Sequence, residues 1–157
     1  MTPQHPTETP PDLQPARIVA ALGDAAEAVE LLVLFGSSGR AAGDVRPVKR
    51  LPRDVDLGVR YRDDTSVRQR WRVEGALRRH LRPLDRREVD VIDLASAPPL
   101  LRFEVARDGK LLYESRPYLW ADFRARAMVD WWDWAPYQRR MDRGAVRRLR
   151  EATLGSS

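Results

Sequence analysis

Cysteine is absent from the chain, and histidine occurs twice, at His5 and His80. Disulfides, zinc–thiolate centres and cysteine nucleophiles are therefore excluded, and a histidine-rich metal site has too few ligands. Long hydrophobic runs are missing as well: no stretch approaches the roughly 18 to 20 apolar residues that cross a bilayer. The opening MTPQHPTETPPDLQP lacks the basic-then-apolar order of a secretory signal. The expected compartment is the cytoplasm, with no membrane association. Lysine is also scarce, so that nearly all of the 28 basic residues are arginine. Set against 23 acidic residues they leave a net charge of +5. Arginine reads phosphate and carboxylate with a planar fork, which suits a nucleotide, a nucleic acid or an acidic protein. A diffuse excess of this size also arises from base composition alone and carries little weight.

What is present is the composition of one globular domain: 157 residues, 43% hydrophobic and 32% charged. Residues 1–15 are proline-rich with no apolar period and are expected to form a flexible arm. Residues 16–138 form the domain, and 139–157 a basic flexible tail. Ile18, Val19, Leu22, Ala25, Ala26 and Val29 recur at helical spacing, which predicts a helix over 16–29. The short apolar run 30–35, stopped by Gly36, predicts a central strand buried on both faces. Residues 54–59 alternate charged and apolar side chains, as do 88–94; both read as strands with one face in the core. Between them Thr65 is the expected cap of a helix to Leu81, with Val67, Trp71, Ala76, Leu77 and Leu81 as its apolar positions and Pro83 as its stop. Pro98 and Pro99 open a short helix over 100–106, residues 110–113 form an edge strand, and a long helix follows Pro117, with a kink expected at Pro136. Trp131, Trp132 and Trp134 cannot all face one core from a helix, so at least one is exposed as an interface anchor while the others pack on the sheet. The order of elements predicts an α/β or α+β sheet flanked by helices.

Three features carry chemistry. A glycine after a buried strand lets backbone amides approach phosphate, and a helix start beyond it adds partial positive charge; Gly36 and Ser37 sit there, with Ser37 offering a hydroxyl donor. Asp54 and Asp56, two apart, project from one face of their strand. Neighbouring carboxylates repel and are commonly compensated by a cation, although a solvated polar face is an equal alternative. Asp90 alternates with Val89 and Val91 in the later strand, whereas Asp93, at the strand end, fits a turn or a cap. Together the three carboxylates suit two-metal phosphoryl or nucleotidyl transfer.

The stretch Leu34-Phe35-Gly36-Ser37-Ser38-Gly39-Arg40, then Asp54-Val55-Asp56-Leu57, then Val89-Asp90-Val91, resembles the minimal nucleotidyltransferases (MNT) of the DNA polymerase β superfamily. The resemblance covers about 31–113. It implies a mixed sheet of about four strands flanked by helices, catalytic and magnesium-binding roles for Asp54, Asp56 and Asp90, and nucleotide contacts from Gly36, Ser37 and Arg40. The later phrase 93–104, followed by Asp108-Gly109-Lys110-Leu111-Leu112-Tyr113, resembles the branch that serves as antitoxins beside HEPN ribonuclease toxins. That branch implies a hetero-complex and the transfer of AMP from ATP to a tyrosine of the toxin. The chain departs from the family in carrying Ser38-Gly39-Arg40-Ala41 where Ala-Arg-Gly is usual, Arg53 in place of serine, and a longer basic loop before Asp54. Two other functions fit the same residues. One is an antitoxin that neutralises by covering its partner with the tryptophan- and arginine-rich end. The other is an aminoglycoside-type nucleotidyltransferase, which needs a helical domain larger than the fewer than fifty residues after Tyr113. Nucleic-acid binding lacks an aromatic and basic strand motif for stacking bases.

Overall fold

In a computed structural model of the chain, the described residues are 14–36, 54–81 and 88–154. Helix α1 (Pro15–Leu22) leads through a 3₁₀ segment (Gly23–Ala28) into β1 (Val29–Phe35). Strand β2 (Asp54–Tyr61), helix α2 (Val67–Leu81) and strand β3 (Glu88–Asp93) follow. Helix α3 (Pro99–Asp108), strand β4 (Lys110–Glu114) and helix α4 (Leu119–Leu154) complete the chain. The four strands form one mixed sheet in the order β3-β2-β1-β4. Strand β1 is antiparallel to β2 and to β4, while β2 and β3 run parallel. The protein is an α+β fold in which the apolar run 30–35 is the inner strand and 110–113 belongs to an edge, as the sequence predicts.

Alternation along β1 divides the core in two. Val29, Leu32 and Leu34 enter one cluster with Ile18, Leu22, Val55, Leu57, Val59, Val73 and Leu77, beneath α1 and α2. Leu31, Val33 and Phe35 enter the other with Leu94, Val105, Leu119, Phe123 and Ala127, beneath α3 and α4. Each fully buried leucine contributes about 1.5–3 kcal/mol through the water it leaves behind, so a strand covered on both sides is the anchor of the sheet.

Several local expectations are corrected. The first helix ends at Leu22 rather than 29, because Gly23 takes φ 51° and the chain tightens into the 3₁₀ segment. Ser66, not Thr65, caps α2: the Gln69 amide donates to Ser66 Oγ (3.3 Å), and the Ser66 amide donates to Gln69 Oε1 (2.8 Å). This reciprocal pair satisfies two amides that the first helical turn leaves without partners. Thr65 instead donates from Oγ1 to the Ala28 carbonyl (3.3 Å). The buried face of α2 is Val73, Ala76, Leu77 and Leu81, whereas Val67 and Trp71 are exposed. Of the tryptophans at 131, 132 and 134, Trp132 is the exposed one. Trp131 stacks on Phe103 of α3 (5.1 Å between centroids) and tilts against Trp134 (5.7 Å), so Trp131 meets a helix where the sheet was expected. Finally, α4 continues past Pro136 to Leu154, and residues 139–154 are helical in backbone.

Candidate active site

The same alternation that buries Val55, Leu57 and Val59 of β2 turns Asp54, Asp56, Gly58 and Arg60 to the opposite face. That is the face of α3 and α4: Gly58 lets Leu94 lie against its bare Cα, where any Cβ would collide with the leucine methyls. In the parallel pairing Asp54 stands beside Glu88 and Asp56 beside Asp90. Laterally paired residues share a face, so β2 and β3 present two adjacent rows of carboxylates at one end of the sheet. Asp54, Glu88 and Asp90 are exposed, and Asp56 is half-buried.

Glu88 is not among the residues singled out from the sequence. Its distance of two from Asp90 repeats the Asp54–Asp56 spacing, and that repetition is the signal that points to it. Asp93 falls on the other face and closes a turn: its Oδ1 accepts from the Ala95 amide (2.9 Å) and its Oδ2 from Arg70 Nη1 (2.6 Å). This is the turn role expected for it.

Gly36 completes the neighbourhood. Phe35, the last residue of β1, is the antiparallel partner of Asp56. At the next residue the chain turns with φ 68°, a left-handed conformation that costs a side-chain-bearing residue about 1–2 kcal/mol. A Cβ at Gly36 would run into Oδ2 of Asp56. Glycine is therefore demanded twice, by the turn and by the carboxylate lying against it. Ser37, Arg40 and the basic loop before Asp54 lie outside the described residues.

As oxygen donors, Asp54, Asp56 and Asp90 have the chemistry that hard divalent cations such as magnesium select. Sharing a face is not the same as forming a ready-made cage. Among the described residues no group of three or more acidic or histidine side chains is already close enough to hold a metal ion. The arrangement places these carboxylates on a common face.

A separate cavity of about 470 Å³ opens on the same face toward the other end of β2, lined in part by Arg60, Leu94, Arg102, Phe123 and Arg126. Two of its arginines are tied internally, Arg60 to Glu30 (3.0 Å) and Arg102 to Asp130 (3.0 Å). It is distinct from the carboxylate rows. No helix among the described residues is long and apolar enough to cross a membrane.

Comparison with known proteins agrees with this fold. The fold is similar to a solved toxin–antitoxin complex with AMP-PNP, at TM-score 0.61 and 24% identity over 83% of this chain and 98% of that one. It is also similar to the solved complex of a tri-AMPylated Shewanella oneidensis HEPN toxin with its MNT antitoxin, at TM-score 0.59 and 23% identity over 83% and 95%. A MntA–HepT toxin–antitoxin structure matches at TM-score 0.58 and 23% identity, over 83% and 96%. No curated protein sequence matches the chain. Residues 18–118, which hold Gly36, both carboxylate rows and all four strands, match the family described as Polymerase beta, Nucleotidyltransferase, and the chain belongs to that family.

Proposed function

We propose that the chain is a magnesium-dependent nucleotidyltransferase of the antitoxin type, transferring AMP from ATP to a tyrosine of a partner HEPN ribonuclease toxin and thereby silencing it. The observation that carries the proposal is the registration of Asp56 with Asp90 on one face, with Gly36 held against the Asp56 carboxylate. Family membership supports nucleotidyl transfer. The protein partner and the AMP group are supported by the similar complexes, one with AMP-PNP and one with a tri-AMPylated HEPN toxin.

In the proposed reaction a tyrosine oxygen forms a bond to the α-phosphorus of ATP. The bond from that phosphorus to the bridging oxygen breaks, and pyrophosphate leaves with the electron pair. Asp90, exposed beside Asp56, is assigned the proton of the attacking hydroxyl. Asp54 and Asp56 are assigned the metal with Asp90. Magnesium bound there would neutralise the triphosphate and stabilise charge on the entering and leaving oxygens. At the turn after β1, Gly36 provides close backbone approach to phosphate, Ser37 a hydroxyl donor and Arg40 a guanidinium for a phosphate oxygen.

Intact-mass spectrometry of the protein encoded beside this one, mixed with the chain, ATP and magnesium, tests the proposal. The neighbour should gain AMP with the unaltered chain and not with the Asp54→Ala, Asp56→Ala variant. Tight binding with no change of mass would overturn it in favour of an antitoxin that neutralises by covering its partner.

A further inference from the structure

The distal half of α4 differs from the rest of the molecule in cover and in charge. Phe123, Ala127, Asp130, Trp134, Tyr137 and Met141 follow one another at alternating intervals of four and three, which places them on one seam of the helix. Where α3 and the sheet lie beneath it, this seam is buried or half-buried: Phe123 and Ala127 are in the core, and Asp130 pairs with Arg102. Beyond Pro136 the same seam emerges, with Tyr137 63% and Met141 73% exposed. A 36-residue helix extends about 54 Å, and among its described side chains this seam loses its cover at Tyr137 and Met141. Helices in water are sustained mainly by packing an apolar stripe, and a helix that carries Tyr137 and Met141 into water beyond its covered part is suited to a partner.

Charge identifies the kind of partner. Residues 137–150 contain six arginines, at 139, 140, 143, 147, 148 and 150, against the single acid Asp142. With Glu151 beside them, the half-helix to Leu154 carries a net +4 of the chain's +5, so the cationic character is concentrated there. Two copies docked along it would bring like charges together, which disfavours self-association. We infer that the distal half of α4 is a docking arm for a protein partner that presents an apolar groove bordered by aspartate and glutamate, with Tyr137 and Met141 entering the groove. The inference rests on the proposed function for its partner, which is the neighbouring protein carrying the acceptor tyrosine.

The test is binding of full-length chain to that neighbouring protein by titration calorimetry, alongside intact-mass measurement of AMP transfer. Tyr137→Ser with Met141→Ser, and separately Arg139→Glu with Arg140→Glu, should each weaken binding at least about 30-fold, as loss of an anchor residue does. Neither pair should change the thermal unfolding midpoint, because these side chains are not in the core. In the charge-reversed variant the loss should shrink as salt rises and screens exposed charge. AMP transfer by both variants should recover at high partner concentration, a rise in KM at unchanged kcat. The Asp54→Ala, Asp56→Ala chain should bind as tightly as the unaltered one. Unchanged binding by the α4 variants would overturn the arm. So would a chain that doubles its mass in solution through Tyr137 and Met141, or one that binds polyuridylate RNA through the same residues in preference to the protein. Binding that depends on α4 with no AMP transfer would remove the proposed function and leave the docking arm standing.

Discussion

The two faces of β2 obey opposite rules. On one, Val55, Leu57, Val59 and Tyr61 sink into the cluster beneath α1 and α2, and any polar change there meets a dry interior. On the other, Asp54, Asp56 and Arg60 share the strand with Gly58, and the side chains at the Asp54 end reach water. A single eight-residue strand thus separates what holds the fold from what is assigned the chemistry. Substitutions one residue apart should divide cleanly between loss of stability and loss of activity.

The largest expected effect is on the charged face. Asp56→Asn should lower AMP transfer about a thousandfold, equivalent to about 4 kcal/mol of transition-state stabilisation, while leaving chemical denaturation of the chain little changed. Activity that survives this variant would break the comparison. On the apolar face Leu57→Ala should cost about 2–5 kcal/mol of folding stability, the range for a fully buried leucine that leaves a cavity, read as a lower urea midpoint. At the join between the faces, Gly36→Ala combines a left-handed backbone strained by about 1–2 kcal/mol with a collision at the Asp56 carboxylate. It should therefore lower both stability and transfer, and a variant changed in neither would show that the turn is tolerant.

Smaller effects sharpen the picture away from the site. Ser66→Ala removes the acceptor for the Gln69 amide and should destabilise by about 1 kcal/mol, with AMP transfer per folded molecule unaltered. The last concerns pH. Tyr61 is 5% exposed and its hydroxyl has no hydrogen-bond partner among the described residues. Burial, reinforced by Glu74 and Asp93 and opposed by Arg70, pushes its ionisation well above the ordinary value near 10. The folded state thus keeps the proton that the unfolded chain gives up. Its contribution to stability is complete below about pH 10 and falls as pH rises beyond that. Thermal unfolding followed from pH 9 to 11 should show a decline for the native chain, and a shallower one for Tyr61→Phe.

The comparison also explains which features were readable in advance. The inner strand announced itself as an apolar run stopped by glycine, and the alternation of 54–59 and 88–94 separated core from site without knowledge of the fold. Helix α2 was harder. Val67 and Trp71 form one apolar stripe, and Val73, Ala76, Leu77 and Leu81 another; helical spacing supports either. The second is buried because β1 and β2 meet that side, and Trp71 is left 70% exposed. Trp131 shows the same limit, since its neighbour Phe103 belongs to a different helix. Thr65 and Ser66 are both good caps, and the choice falls to Ser66 because Gln69 stands three residues after it, at the reciprocal position of a capping box.

The sequence by itself determined the inventory of this protein: two carboxylates on one face of one strand, a third in phase on another, a glycine after the inner strand, and an arginine-rich C-terminal stretch. These are properties of local spacing, and backbone periodicity of two and 3.6 makes them legible. Only the tertiary structure decided that Asp56 stands beside Asp90 and Asp54 beside Glu88, since slipping one residue in register would turn a whole strand over. Only it decided that Gly36 lies against Asp56, and that α4 outruns its cover at Tyr137 and Met141. Contacts between residues far apart in the chain depend on where the sheet and helices close on one another, which no local pattern encodes.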